Sequence, residues 1–326
     1  MQVLVTGAAG KVGANLIARL LLEPQWREAK VRALCHERAI PETDRMEIVK
    51  GSMADRSCID GAMRGISHVV HLATCKEMPE IVMDVTVKGL FWLLEAFRQS
   101  AAARQFILIG GDAAVGHFFY DHREPITEHT AHRAYSGCYA LSKVLEEVML
   151  RQFAIQYGVD TCCLRAPWIM EKDDFRYSLS FGDDVFGGPV WKTLVAPEVA
   201  ESCRAAGTAP LLRDARGDPL KRNFVHVEDL VDAILAALDN PTAKNKLYNI
   251  CMDEPVDYGA VAAYLKETRG LDSLDIPSAY FSNWMDNSLA KFELGWRPRY
   301  DLKRLIDAAW SYQREAADPR RVWYPG

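Results

Sequence analysis

The strongest constraint on the fold lies at the N-terminus. Gln2–Thr6 is a short apolar run, and Thr6-Gly7-Ala8-Ala9-Gly10-Lys11-Val12-Gly13 follows it directly. Val12, Leu16, Ile17, Leu20 and Leu21 then recur at helical spacing. A strand that turns into a helix through three glycines is the context a dinucleotide-binding unit requires. Gly7 permits the tight turn, Gly10 lets the backbone approach a pyrophosphate, and Gly13 lets the helix pack closely on the strand. Ala9, Lys11 and Val12 complete the loop. The helix N-terminus then offers free N–H groups and the positive end of its dipole to phosphates.

Downstream, the same alternation continues. Val31–Cys35, Met46–Val49, His68–Ala73, Gln105–Ile109 and Thr161–Leu164 read as strands. Long helical patterns run from Met78 to Ser100 and from Tyr139 to Tyr157. This alternation predicts an α/β fold: a doubly wound, Rossmann-like parallel sheet with helices on both faces. From Trp168 to Leu220 the chain is rich in Gly, Pro, Asp and aromatic residues and loses its periodicity. Arg222–Val227, a helix at Glu228–Leu238 and a strand at Leu247–Cys251 restore it, and the tail from Tyr258 is mostly helical in pattern. The expected division is a dinucleotide-binding domain over 1–167, to which 221–251 returns, and a smaller substrate lobe built from 168–220 and 252–326.

Composition excludes several classes. A net charge of −5 offers no broad basic surface for nucleic acid. No apolar run approaches the ~20 residues a membrane span needs. The N-terminus reads as a strand and not as a signal peptide. The eight cysteines are scattered without a C-x-x-C pair, so they read as reduced thiols of a cytoplasmic protein and not as a metal or disulfide framework. His117, His122, His129 and His132 share a loop with Asp121, Glu124 and Glu128, but in no metal-ligand spacing. No metal is expected.

Further motifs follow in order. They are His71-Leu72-Ala73-Thr74, Tyr139-Ala140-Leu141-Ser142-Lys143, Arg222-Asn223-Phe224-Val225-His226-Val227-Glu228-Asp229, Tyr248-Asn249-Ile250 and Leu294-Gly295-Trp296-Arg297-Pro298. With the G-x-x-G-x-x-G spacing of the first loop, this series resembles the extended short-chain dehydrogenase/reductase family, of the NAD-dependent epimerase/dehydratase type. The resemblance covers nearly the whole chain. It implies a nicotinamide cofactor lined by Leu72, Ala73, Thr74 and Pro167, with Ser52 and Met53 beside the adenine. It also implies a Tyr139–Lys143 pair in which the tyrosine moves the proton of a carbinol and the lysine holds the nicotinamide ribose. The physical reason is independent of the resemblance: a phenol, with a pKa near 10, becomes a usable base beside an ammonium, and an i, i+4 pair shares one helix face.

Two positions depart from the family pattern. The Ser or Thr that follows the fifth strand falls on Gly111, in Ile109-Gly110-Gly111-Asp112-Ala113. Ser136, the backbone N–H groups of 110–112, or Asp112 itself could replace it. The Asn that follows the sixth strand in nucleotide-sugar enzymes falls on Trp168, which disfavours a nucleotide sugar and leaves a free sugar, polyol or sugar acid. Gly111, Trp168 and Arg222 are the expected substrate contacts. At the end of the second strand, an acid that would bind the ribose diol is replaced by Cys35, with His36, Arg38 and Lys11 nearby. The cofactor is therefore NAD or NADP, and these cations tilt the choice to NADP. The leading function is hydride transfer between NAD(P) and a carbinol carbon of a carbohydrate or sugar acid. The alternatives are a sugar epimerase and, in another class, a cofactor-binding sensor or assembly protein without turnover. A homodimer through the two long helices is expected, with Ile81, Val85, Leu93, Phe97, Val144, Val148 and Phe153 covering the sheet and the partner.

Overall fold

The computed structural model describes residues 1–38, 40–182, 190–316 and 318. Seven strands form one parallel sheet: β1 (Gln2–Thr6), β2 (Lys30–Cys35), β3 (Met46–Lys50), β4 (His68–His71), β5 (Gln105–Gly111), β6 (Thr161–Ala166) and β7 (Lys246–Asn249). Their order is β7-β6-β5-β4-β1-β2-β3. The order reverses between β1 and β4, the switch point at which ligands bind in open α/β sheets. Every residue of β5 and β6 is buried, as expected for strands covered on both faces.

The covering helices are α1 (Lys11–Leu22), α2 (Arg56–Ala62), α3 (Gly89–Gln99), α4 (Cys138–Tyr157) and α5 (Val227–Ala237). Leu16, Ile17 and Leu20 of α1 pack with Leu230, Val231 and Ile234 of α5 on one face. Leu90, Leu93, Leu94 and Phe97 of α3 pack with Leu150 and Phe153 of α4 on the other. The stretch read from sequence as one helix begins with a short turn at Pro79–Val82 and a π-helical segment at Met83–Lys88 before α3. Leu93, Phe97 and Phe153, named for the sheet and a partner, are taken up by the sheet. Ile81, Val148, Phe91 and Leu141 stay exposed.

A separate apolar cluster gathers Met170, Phe175, Trp191, Leu212, Val256, Leu265, Ile276, Leu305 and Ile306. It contains two elements that periodicity missed. Ala209–Arg213 pairs in parallel with Ser273–Pro277, a strand within the tail read as helical. Among the described residues no helix is long and apolar enough to cross a membrane.

Candidate active site

The site assembles at the carboxyl ends of β1, β4 and β5. Gly7 adopts φ +63°, and a Cβ there would stand 2.9 Å from the backbone nitrogen of Ala73. At Gly13 a Cβ would fall 2.5 Å from the Gly7 carbonyl and 2.7 Å from Ala8 Cα. These contacts fix why glycine is needed: the helix lies directly on the loop. Gly10 is the residue preceding α1, and no side chain caps the helix start. The first N–H groups of α1 are thus left for a ligand, which suits a pyrophosphate. Thr6 ties the two sides of the switch point together. Its hydroxyl lies 2.8 Å from His71 Nδ1 and accepts from the N–H groups of Leu72 and Ala73, each at 3.1 Å. Burial, with Lys143 nearby, brings His71 down to about 3, so its ring is neutral; with both Thr6 Oγ1 lone pairs taken by the Leu72 and Ala73 N–H groups, the hydroxyl is left to donate to Nδ1. Sequence reading missed Thr6, although a hydroxyl at the end of the first strand was visible.

Gly10→Val should therefore abolish cofactor binding with the fold retained. A Cβ at Gly10 meets only the Gly7 carbonyl, at 3.0 Å, so the intrusion falls mainly on the phosphate site. Calorimetric titration with NAD and NADP beside a thermal melt checks this; unchanged affinity contradicts the loop assignment.

Around the adenine end, Cys35 is buried at the end of β2. Burial pushes its thiol up, while the Ala9 backbone and Arg38 oppose this, which places both beside it. His36 is exposed and Arg38 half-buried. Lys11 does not lie on the β2 side: its ammonium binds Asp174 and, at 2.8 Å, the carbonyl of Ile169. That pairing withdraws it from the 2′-phosphate role expected of it. Ser52 is half-buried and accepts from Ala54 N–H, and Met53 packs under Gly89 at the start of α3. Thr74 is half-buried and Pro167 buried.

At the reaction end, Tyr139 lies in the first turn of α4 and Lys143 one turn on. A Cβ built on Gly111 would sit 3.5 Å from Tyr139 Oη and 3.6 Å from Lys143 Cδ. Gly111 is thus placed where a hydroxyl side chain would face the phenol, and its extended backbone (φ −143°) admits one. Lys143 Nζ lies 2.7 Å from Glu146 Oε2 in a pair almost wholly removed from water. Ser136 is exposed, and the contact to the start of α4 comes from Glu77 instead. Its carboxylate accepts from the N–H groups of Cys138 (3.0 Å) and Tyr139 (3.4 Å), capping the helix that carries the phenol. Glu77 is separated from Cys138 by 61 residues, so no local pattern could reveal this cap.

Asp112 is 7% exposed. Burial pushes its carboxyl up to about 7 against the opposing charges of Arg222, Arg165 and Lys76. Arg222 is stacked in an aromatic cage, 3.5 Å from the Trp168 ring centre and 4.4 Å from that of Phe118. Phe118, Phe119, Tyr135 and Tyr280 continue this wall in stacked and edge-on contacts. Tyr135 is raised by burial, then by Tyr139 and Asp112, which puts the wall beside the phenol. The loop histidines diverge: His117 is buried against Tyr135, and His132 bonds Glu147, one turn beyond Lys143 on α4, at 2.9 Å.

A model of the NAD dependent epimerase/dehydratase family matches residues 3–170 and 187–251. The chain belongs to that family. It is therefore an enzyme of the extended short-chain dehydrogenase/reductase type. Among curated relatives, it is similar to a UDP-glucose 4-epimerase of Erwinia amylovora, at 27% identity over 97% of this chain and 98% of the relative. It is also similar to a dihydroflavonol 4-reductase of Zea mays, at 23% over 94% and 87%. In fold it matches a short-chain dehydrogenase/reductase superfamily protein of Agrobacterium tumefaciens with bound NAD, with a TM-score of 0.79 and 24% identity over 95% and 96% of the two chains. The family shown by that match is one of enzymes. Its members include both epimerases and reductases, so membership leaves the reaction open.

Proposed function

We propose that this enzyme transfers a hydride between a nicotinamide cofactor and a carbinol carbon of a carbohydrate or sugar acid. The observation that carries the reading is the gap between Gly111 and Tyr139 Oη, at the carboxyl end of β5 beside the glycine loop and the Lys143 stem. A carbinol or carbonyl oxygen entering that gap meets the Tyr139 phenol, which can exchange its proton. Gly7, Gly10 and Gly13 would hold the pyrophosphate, and Lys143 the nicotinamide ribose. When bound, the cofactor supplies or accepts the hydride. Tyr139 takes the hydroxyl proton as the alcohol is oxidised, and returns it in the reverse direction. Lys143 keeps the phenolate accessible through its charge.

The aromatic cage around Arg222 favours a compact substrate. A buried guanidinium stacked on Trp168 and Phe118, with Asp112 near it, is enclosed by aromatic faces and less disposed to bind a pyrophosphate. Aromatic faces suit the C–H face of a sugar ring. The epimerase reading stays as the second one, because the relative from Erwinia amylovora spans the whole chain. At the end of β2, Arg38 and the missing acid favour NADP, an advantage reduced by the engagement of Lys11 with Asp174. A panel of free sugars, uronic acids, polyols and UDP-sugars, followed with each cofactor by the near-ultraviolet absorbance of the reduced nicotinamide, tests all of this. Net cofactor reduction supports the dehydrogenase; isomer interconversion without net reduction supports the epimerase. Tight cofactor binding with neither would favour the sensor.

We also propose a homodimer. Ile81, Phe91, Leu141 and Val148, exposed on the outward side of α3, α4 and the turn before α3, form the apolar face it would cover. Light scattering at micromolar concentration should give twice the chain mass; a monomer contradicts it. All eight cysteines are free thiols, which supports a reducing compartment such as the cytoplasm.

A further inference from the structure

Two ammonium groups flank the Tyr139 ring. Lys143 Nζ lies 5.7 Å from the ring centre, reaching it along α4. Lys76 Nζ lies 5.3 Å from the same centre, reaching it from the segment after β4. The two arrive from different elements, so their convergence is a product of the fold and not of helix periodicity. The position of Lys76 is fixed by its neighbours in the chain. Leu72 and Ala73 are held by Thr6, and Glu77 caps the first turn of α4. Lys76 is therefore tied at both ends to the elements that present the cofactor crevice and the phenol.

The opposite wall of the gap is bare. Gly111 offers no donor where its Cβ would stand 3.5 Å from Tyr139 Oη. Asp112, the next residue, is close enough to Lys76 that each shifts the other's protonation. Lys76 and Asp112 thus stand within electrostatic reach of each other, on the side where a donor is missing. Lost hydration and the like charges of Lys143 and Lys11 bring Lys76 down to about 7, against Asp112 and Glu77, which pull it up. An ammonium of lowered pKa gives up its hydrogen bonds more strongly than an ordinary lysine.

We propose that Lys76 is the second hydrogen-bond donor to the reacting oxygen, so that the substrate oxygen is held between the Tyr139 phenol and the Lys76 ammonium. Lys76 would take the role that a hydroxyl side chain at position 111 would fill. The proposal rests on the hydride-transfer reading above. The proton that reaches or leaves the oxygen is that of Tyr139, and Lys76 keeps its own protons. In its protonated form it stabilises the alkoxide that develops as the hydride moves.

The first test needs no substrate. The Tyr139 phenol is titrated by ultraviolet difference spectroscopy of the wild type against Tyr139→Phe. Lys76 has lost its charge by the pH at which a phenol titrates, so Lys76→Met should leave the Tyr139 midpoint nearly unmoved, whereas Lys76→Arg, charged throughout, should make Tyr139 a stronger acid by about tenfold, one pH unit. An unmoved midpoint in Lys76→Arg overturns the proposal. The second test uses glucose, glucuronate and UDP-glucose as probe alcohols. With any that turns over, Lys76→Met should lower kcat by about a hundredfold, as loss of one preorganised donor does, with NAD and NADP affinity kept. Gly111→Ser added to Lys76→Met should recover tenfold or more, because it returns a hydroxyl to the same gap. If Lys76→Met instead lowers cofactor affinity and leaves kcat intact, Lys76 binds phosphate and the proposal fails. If Tyr139→Phe turns over normally, the hydride-transfer reading fails first. If none of the three alcohols reacts, the titration alone decides.

Discussion

Tyr139→Phe is expected to lower kcat by about 10²- to 10⁴-fold, the range that a positioned proton donor supplies. The substitution deletes one oxygen and leaves the ring, which still packs between the two ammonium groups. Cofactor affinity should be unchanged, because the glycine loop proposed to hold the pyrophosphate and Lys143 are untouched. A Lys143→Met enzyme should differ in kind. It loses the proposed ribose contact and the charge beside the phenol together, and it leaves Glu146 buried without its ammonium. Turnover and cofactor binding should both fall. Steady-state kinetics paired with cofactor calorimetry separates the two patterns, and near-normal kcat in Tyr139→Phe would remove it as the acid/base.

The largest stability effect is expected one turn further along α4. Arg165 of β6 grips Glu147 with two parallel hydrogen bonds, Nε to Oε1 at 2.9 Å and Nη2 to Oε2 at 2.7 Å. The side chains are 1% and 3% exposed. This pair fastens α4, which carries Tyr139 and Lys143, to the sheet beneath the gap. Arg165→Met would strand a buried carboxylate with only the partly exposed His132, at a cost of about 3–5 kcal/mol. The melting temperature should fall by roughly 10 °C. Adding Glu147→Leu should recover part of the loss, because a buried pair replaced by apolar groups is often tolerated. The pH dependence follows from the sign of the shift. Burial alone would raise Glu147, but the hydrogen bonds and charges of Arg165 and His132 outweigh it and hold the carboxyl below its usual range. Its stabilisation is thus complete above the unfolded glutamate pKa of about 4.3. It is lost as pH falls below that value through the folded one. Melts of wild type and Arg165→Met should diverge near neutrality and converge below about pH 4.

The sheet was legible because a strand buried on both faces can be written only as an apolar run, and the six strands expected from such runs up to Thr161 all occur within a few residues of their expected ends. Ala209–Arg213 and Ser273–Pro277 were not legible. They pair across a long separation in a region without periodicity, and the second carries charge and proline. At the candidate site, placements set by local backbone geometry or by helix spacing could be read: the close approaches at Gly7 and Gly13, and Tyr139 and Lys143 one turn apart on α4. Gly111 was recognised as a missing hydroxyl, and the structure puts it against the phenol. Residues whose role depends on distant segments escaped. Glu77 acts on a helix 61 positions away. Lys76 meets Tyr139 only through the fold, and Lys11 turned to Asp174, 163 residues on. The Glu146 contact was within reach of the sequence, lying three residues from Lys143, but a carboxylate there reads equally as a solvated helix face.

The central claim is that the glycine loop and the Tyr139–Lys143 pair belong to one cofactor site in which the nicotinamide faces the Gly111 gap. Crystals grown with NAD or NADP test it most directly. The account predicts the pyrophosphate against Gly10 at the start of α1 and a ribose hydroxyl within hydrogen-bond distance of Lys143 Nζ. The reactive nicotinamide carbon should border the gap between Gly111 and Tyr139 Oη. A cofactor bound with its nicotinamide turned away from that gap, or no cofactor at saturating concentration, would contradict it.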